Sequence, residues 1–328
     1  MSERVLVAPD AFKGTIPAAA VADALARGLR ERGVGAQECP VADGGEGTLE
    51  ALLRARGGEL HTAATTDALG RPIEAEWALL SDGATAVVEA ARASGLALIE
   101  PAERDAEGAS TAGTGTLILA AHGAGARSVI VCVGGTATTD GGSGALAAIE
   151  AGGGIGRLAI VVACDVTTPF ELAAEVFAAQ KGASSDAVAR LSRRLELLAG
   201  ELPRDPRGRP MTGAGGGLAG GLWSRHGAEL RSGAELVLEE VGFAARLIEA
   251  DAVIIGEGRL DAQSLAGKVG GVILARARER GVPVHAVAGA ADIERSDPAW
   301  AGLASLQRAG SLAELLELGR RWPWVLTG

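Results

Sequence analysis

Apolar positions along this chain alternate between two periods. Val5-Leu6-Val7-Ala8 is a short continuous apolar run ending at Pro9-Asp10, the pattern of a strand buried on both faces. Thr15 is then placed to cap a helix with Pro17 in its first turn and Val21, Leu25 and Leu29 on one face, which completes half of a βαβ unit. A second helix is predicted from about Thr48 through Leu49, Leu52 and Leu53 to a stop at Gly57-Gly58. From Leu60 to Ala90 the period changes. Three extended segments separated by Asp67-Ala68-Leu69-Gly70 and Ser81-Asp82-Gly83 predict a β-meander that interrupts the βα alternation.

Ser128 to Val133 and Leu158 to Cys164 are again short apolar runs, each followed by a polar loop. Near the C-terminus Ala252-Val253-Ile254-Ile255 precedes a predicted helix from about Gly267 to Arg280, the turn Gly281-Val282-Pro283 and a strand from Val284 to Ala288. The pattern predicts an α/β protein in which a discontinuous, doubly wound domain (1–59 and 245–328) carries a second α/β domain inserted at 60–244. No tandem repeat interrupts it. The glycine clusters at 152–154, 213–217 and 220–221 read either as linkers or as places where backbone approaches a ligand closely.

Composition narrows the function classes. With 328 residues, 48% hydrophobic content and few aromatics, the expected interior is Val, Ile, Leu and Ala, and disorder is excluded. A formal charge of −10 without any Lys/Arg-rich block argues against a nucleic-acid surface. An anionic ligand must then be captured by local positive groups. Cys39, Cys132 and Cys164 have no CxxC spacing and read as reduced, buried thiols; the four isolated histidines have no metal-ligand spacing. The N-terminus enters a strand directly and no apolar run is long enough for a bilayer, so a cytoplasmic protein without a signal peptide is expected.

Only three lysines occur against 28 arginines, and all three, Lys13, Lys181 and Lys268, touch a glycine. Asparagine and tyrosine are absent, so a compositional bias has removed some residue types wherever nothing resists. A compact ammonium that survives beside glycine suits an anion pocket; the plain alternative is solvated surface charge.

Five loops share one form, a strand end or helix start where acids sit among Gly and small residues: 8–14, 42–48, 134–142, 163–166 and 256–261. In open α/β sheets ligands bind beyond the carboxyl ends of the strands. There glycines let backbone N–H groups approach phosphate oxygens, and carboxylates suit Mg²⁺. The pattern GxxxxGK[ST] is absent, since Ala262 stands where its first Gly would be, and so is a kinase-type Gly-rich loop with a VAIK-like lysine. The first turn, Pro9 to Gly14, also lacks the GxGxxG of a dinucleotide oxidoreductase.

At these residues the chain resembles the bacterial glycerate kinase family. The matching stretches are APDAFKGT (8–15), VADGGEGT (41–48), STAGTGTLI (110–118), VGGTATTDGGSGAL (133–146), ACDVTTP (163–169), QKGAS (180–184), GAGGGLAGGL (213–222) and GEGRLDAQSLAGKV (256–269), in family order. The resemblance implies a Rossmann-like domain interrupted by a distinct α/β domain with the active site between them, ATP and Mg²⁺ as cofactors, and D-glycerate as substrate, phosphorylated at the 2-hydroxyl. It implies no nucleic-acid or membrane partner and is compatible with a homo-oligomer. The chain departs from the family pattern at Thr139 and Thr168, where Asn is usual, at Ala178-Ala179-Gln180 in place of Gly-Pro-Gln, and in shorter spans at 149–158 and after Pro169.

For phosphoryl transfer, which needs charge neutralisation and in-line positioning, the candidates are as follows. Lys13 and Lys268 neutralise phosphate or substrate carboxylate, with Lys181 a weaker third. Asp165 or Asp10 accepts the hydroxyl proton. Asp43, Glu46 and Asp261 meet Mg²⁺ and its waters. Gly44, Gly45, Gly135, Thr136, Thr138, Asp140, Glu257 and Arg259 contribute to substrate or phosphate binding. Each acid could instead cap a helix or serve a structural ion pair. The alternatives to a glycerate 2-kinase are transfer to the 3-hydroxyl and a catalytically idle relative that binds a small carboxylate or nucleotide.

Overall fold

The computed structural model describes residues 3–12, 14–260, 268–291 and 302–324. Lys13 and Asp261 therefore lie outside the described residues. The strands are β1 (Arg4–Pro9), β2 (Gly35–Glu38), β3 (Gly58–Thr66), β4 (Pro72–Leu80), β5 (Thr85–Glu89), β6 (Ser128–Cys132), β7 (Ala159–Cys164), β8 (Glu229–Ser232), β9 (Ala252–Leu260), β10 (Val284–Ala291) and β11 (Ser305–Arg308). They form two parallel-dominated sheets, one of five strands ordered β11-β10-β9-β1-β2 and one of six ordered β3 to β8. Contacts divide the chain into two units, residues 1–43, 50–55 and 234–328, and residues 44–49 and 56–233. Among the described residues no helix is long and apolar enough to cross a membrane.

The first unit holds the five-stranded sheet, parallel throughout. Val5, Val7, Ala252, Ile254 and Val287 pack against Val21, Leu25 and Leu29 of the helix Ala18–Glu31, and against Leu315 of the helix Leu312–Arg320. These two helices touch backbone to backbone at Gly28 and Gly319, where a side-chain carbon on Gly319 would stand 2.9 Å from the Gly28 Cα. The start of the helix Ala18–Glu31 differs from the sequence expectation. Pro17 occupies the N-cap without a side-chain hydrogen bond, and the Thr15 hydroxyl donates to the Phe12 carbonyl at 2.8 Å. Thr15 thus closes the turn after β1 and leaves helix entry to the fixed φ of proline. With β2 on one side of β1 and β9 on the other, the strand order reverses at β1, which opens a crevice at the carboxyl ends of β1 and β9.

The second unit begins with the meander. β3, β4 and β5 pair antiparallel, and β5 to β8 then continue as parallel neighbours. Its main core joins Val88, Val129, Val131, Ile160 and Val162 to Leu117, Ile118, Ile149 and Leu222 from the covering helices. A separate small core gathers Phe170, Ala174, Leu191 and Leu195 beneath the helix Ser185–Glu201, whose start is capped by the Ser184 hydroxyl accepting from Ala187 N at 3.3 Å. The short span at 149–158 is a tight helix exit. Gly152, Gly153 and Gly154 donate to the carbonyls of Ala148, Glu150 and Ile149 and lead directly toward β7.

Candidate active site

In the second unit β5, β6 and β7 are parallel and in register, with Glu89 opposite Cys132 and Cys132 opposite Ala163. Their carboxyl ends therefore deliver the loop Gly134–Asp140 and the residue Asp165 to one sheet edge. The loop Gly44–Thr48 closes on them. Gly134 N donates to Gly44 O at 3.5 Å. A side-chain carbon at Gly134 would lie 2.8 Å from the Gly45 Cα and 3.2 Å from Asp165 Oδ2. Segments 44–48 and 134–140, both candidates, are thus in backbone contact, and the Asp165 carboxylate lies beside Gly134.

The Gly134–Asp140 loop is held on every side. Leu96 N donates to Gly135 O and Ala137 N to Ser94 O, each at 2.9 Å, which fixes buried Thr136 between them. Behind it runs the second glycine cluster. Gly141 N donates to Gly216 O at 3.0 Å, and a side-chain carbon on Gly216, at φ 66°, would fall on the Thr138 carbonyl oxygen. Residues 213–217, read either as a linker or as a close approach to a ligand, approach the backbone of this loop. The hydroxyls of Thr48, Thr138 and Thr139 are buried without a hydrogen-bond partner among the described residues, an arrangement that favours a polar ligand.

Two candidates have a task the sequence did not indicate. Asp140, 7% exposed, accepts four hydrogen bonds: Oδ2 from Thr111 N (2.8 Å), Thr111 Oγ1 (2.8 Å) and Gly144 N (3.1 Å), and Oδ1 from Gly142 N (3.0 Å). A carboxylate so occupied anchors the loop, and its charge repels phosphate. Lys181 is 4% exposed and its ammonium donates to Thr138 O at 2.6 Å. Burial pushes its pKa down to about 8, and the charges of Asp140 and Asp165 limit the fall.

Glu89 was missed. It is 1% exposed at the end of β5, where Oε1 accepts from Leu49 N at 2.8 Å and Oε2 meets Arg92 at 3.0 Å. It thereby ties the end of the Gly44–Thr48 loop to the sheet. The available signal was an acid ending an apolar strand, the same form as Asp10 after β1.

In the first unit Asp10 follows β1, while Glu257 and Arg259 belong to β9 and Lys268 is the N-cap residue of the helix Val269–Glu279. Asp10 and Glu257, both buried, line a cavity of about 10 Å³ beside Gly270 and Ala286. Glu257, Arg259 and Lys268 line a pocket of about 530 Å³ together with Phe12, Thr15 and Gly289. Two cations beside a helix start suit an anionic group, and the volume is that of a small-molecule site. Asp43 is brought to this strand end because Cys39 N and Val41 N donate to the Val7 and Pro9 carbonyls at 2.8 and 3.0 Å.

Among the described residues no three His, Cys, Asp or Glu side chains gather as metal ligands. Mg²⁺ needs fewer, one or two carboxylates completed by phosphates and water. Glu46, exposed on its loop, and Asp43, three residues earlier, meet that requirement in donor type. Asp261, the third proposed ligand, and Lys13 are outside the described residues.

Glycine-rich strand-end loops with carboxylates on two parallel-dominated sheets, and a pocket with two cations beside a helix start, fit the class of α/β proteins that bind anionic small molecules. The family model described as the glycerate kinase family matches residues 5–154 and 151–318, and the chain belongs to that family. It is 37% identical over 323 residues to glycerate 2-kinase of Escherichia coli K12, covering 87% of this chain and 85% of that protein. It is 36% identical over 326 residues to glycerate kinase of Bacillus subtilis 168, with 87% and 85% covered. A crystal structure from Salmonella typhimurium LT2, provisionally described as glycerate kinase 2, superposes with a TM-score of 0.82 at 31% identity, covering 97% of this chain and 96% of that one.

Proposed function

We propose that this enzyme transfers the γ-phosphoryl group of ATP to the 2-hydroxyl of D-glycerate, giving 2-phosphoglycerate. The observation that carries the reading is the similarity to the Escherichia coli glycerate 2-kinase over 323 residues, within which two of the second unit's loops meet backbone to backbone beside the Asp165 carboxylate. The pocket with Arg259 and Lys268 suits the nucleotide phosphates, and Lys13, outside the described residues, is the further cation this reading would enlist. The loops around Gly44, Gly45, Gly135, Thr136 and Thr138 suit the small hydroxy acid, whose carboxylate and hydroxyl can meet backbone N–H groups and buried hydroxyls.

Asp165 is the proton acceptor this reading favours, because it is exposed at the end of β7 whereas Asp10 is buried in the small cavity. Acceptance requires hydrogen-bond reach to the hydroxyl, which exposure permits. Asp43, Glu46 and Asp261 would hold Mg²⁺, which when bound offsets the negative charge of the phosphates.

The test is an assay of purified protein with D-glycerate, ATP and Mg²⁺, the product isomer being identified by NMR. Formation of 2-phosphoglycerate at enzymatic rates supports the reading. The 3-isomer would keep the kinase and overturn the regiochemistry, and absence of product beside an active control enzyme would favour an idle binding protein.

A further inference from the structure

Consecutive carbonyls of the Gly134–Asp140 loop are each held by a cation from one neighbouring segment. Lys181 Nζ donates to Thr138 O at 2.6 Å, and Arg194 Nη2 donates to Thr139 O at 3.0 Å. Both cations come from residues 179–201, the segment that closes the small core around Phe170. The Lys181 ammonium also feels the carboxylates of Asp140 and Asp165. At 4% exposure its ammonium is turned away from solvent and onto the loop carbonyl. A phosphate ligand would need the opposite arrangement.

We propose that Lys181 is a positioning residue, whose ammonium, with Arg194 beside it, fixes the strand-end loop at Thr138 and the carboxylate of Asp165 without touching substrate. The proposal rests on the functional reading above, in which that loop and Asp165 serve the transfer. A backbone carbonyl accepts a stronger hydrogen bond from a charged donor than from a neutral amine, and a carboxylate at a fixed site is oriented by a fixed charge. Protonated Lys181 supplies both. The charged groups that face it are Asp140 and Asp165 from the strand-end loops, Arg194 from the helix Ser185–Glu201, and Arg104, whose guanidinium donates to Gln180 O at 3.4 Å. Since burial holds Lys181 near pH 8, the hold weakens as pH rises through that value.

The sequence makes a direct test practical. With three lysines in the chain, lysine labelled with ¹³C at Cε gives three side-chain signals, and the one absent from Lys181→Met reports Lys181. The expected result is a midpoint near 8 for that signal, and a fall in wild-type kcat with the same midpoint. Lys181→Met is expected to lower kcat about 100-fold with KM for D-glycerate within about threefold, and to speed hydrogen exchange at residues 134–140. Lys181→Arg, which keeps a charge that does not titrate, should restore loop protection and remove the kcat limb near pH 8. A raised KM at unchanged kcat would make Lys181 a substrate ligand and overturn the proposal. So would a Lys181 signal titrating above pH 10, or unchanged exchange in the loop. If wild-type protein forms no phosphoglycerate, the functional reading fails, while the exchange and titration measurements still decide whether Lys181 clamps the loop. Should Lys181→Met not fold, the wild-type titration and Arg194→Met, expected to speed exchange at Thr139 and its neighbours, carry the same decision.

Discussion

Gly134 and Gly45 approach so closely that a methyl group at residue 134 would stand 2.8 Å from the Gly45 Cα. The Gly45 Cα is backbone and cannot rotate away, so one of the two loops must shift. Gly134→Ala is expected to lower kcat at least about tenfold, because displacements near 1 Å in a positioned site carry costs of that order or more. Steady-state kinetics beside a thermal melt checks this: a variant with wild-type kcat would remove the contact from the site.

Glu89 links the same loop to the sheet from the other end. Glu89→Ala leaves Leu49 N without that acceptor and takes a charge from buried company with Arg92. The expected loss is about 2 to 3 kcal/mol, read from urea denaturation. Glu89→Gln keeps an acceptor for Leu49 N and should recover about half of it.

Lys181 predicts opposite pH trends for stability and turnover. Its pKa is lowered from 10.5 to about 8 in the folded chain by burial. Below about 8 both states carry the proton, and the folded state bears the full cost of a buried charge. Between 8 and 10.5 the unfolded chain binds a proton that the folded chain lacks, so stability rises with pH. The gain, complete above 10.5, is on the order of 3 kcal/mol. Denaturation of the wild type and of Lys181→Met at several pH values isolates it: the difference between them should move in favour of the wild type across that window, whereas kcat falls.

The first-unit pocket gives a separate prediction. Arg259 and Lys268 are its two cations among the described residues, and the helix start at Val269 adds partial positive charge. Arg259→Glu and Lys268→Glu should each raise KM for ATP at least about tenfold with a smaller effect on KM for D-glycerate. Titration with a non-hydrolysable ATP analogue checks it, and unchanged nucleotide affinity would move the phosphate site elsewhere.

The elements most legible in the sequence were those with one strong period. The run Val5–Ala8 and the helix face Val21, Leu25 and Leu29 could hardly be read otherwise, and the turns at Asp67–Gly70 and Ser81–Gly83 set off the meander that β3, β4 and β5 form. Local capping was less legible, because Thr15 and Pro17 compete for one helix start and the geometry that decides lies in the Phe12 turn. Candidate residues could be found by type, but their partners could not. Asp140 meets Thr111 across 29 residues and Lys181 meets Thr138 across 43, separations that no local pattern encodes. Residues 213–217 showed a similar limit: their glycines read either as a linker or as an approach to a ligand, and what they meet is the backbone of residues 138–141.

β1 lies inside its sheet, between β2 and β9, and this decides the order in which the nascent chain can be built. The ribosome delivers β1 and β2 at the start, then the whole of residues 56–233, and only afterwards the strand from Ala252 that covers the other edge of β1. The second unit can complete its core from residues already synthesised, whereas Val5 and Val7 wait beside an open strand edge. A chain halted before residue 252 thus emerges with its later domain finished and its earliest strand still in need of shelter.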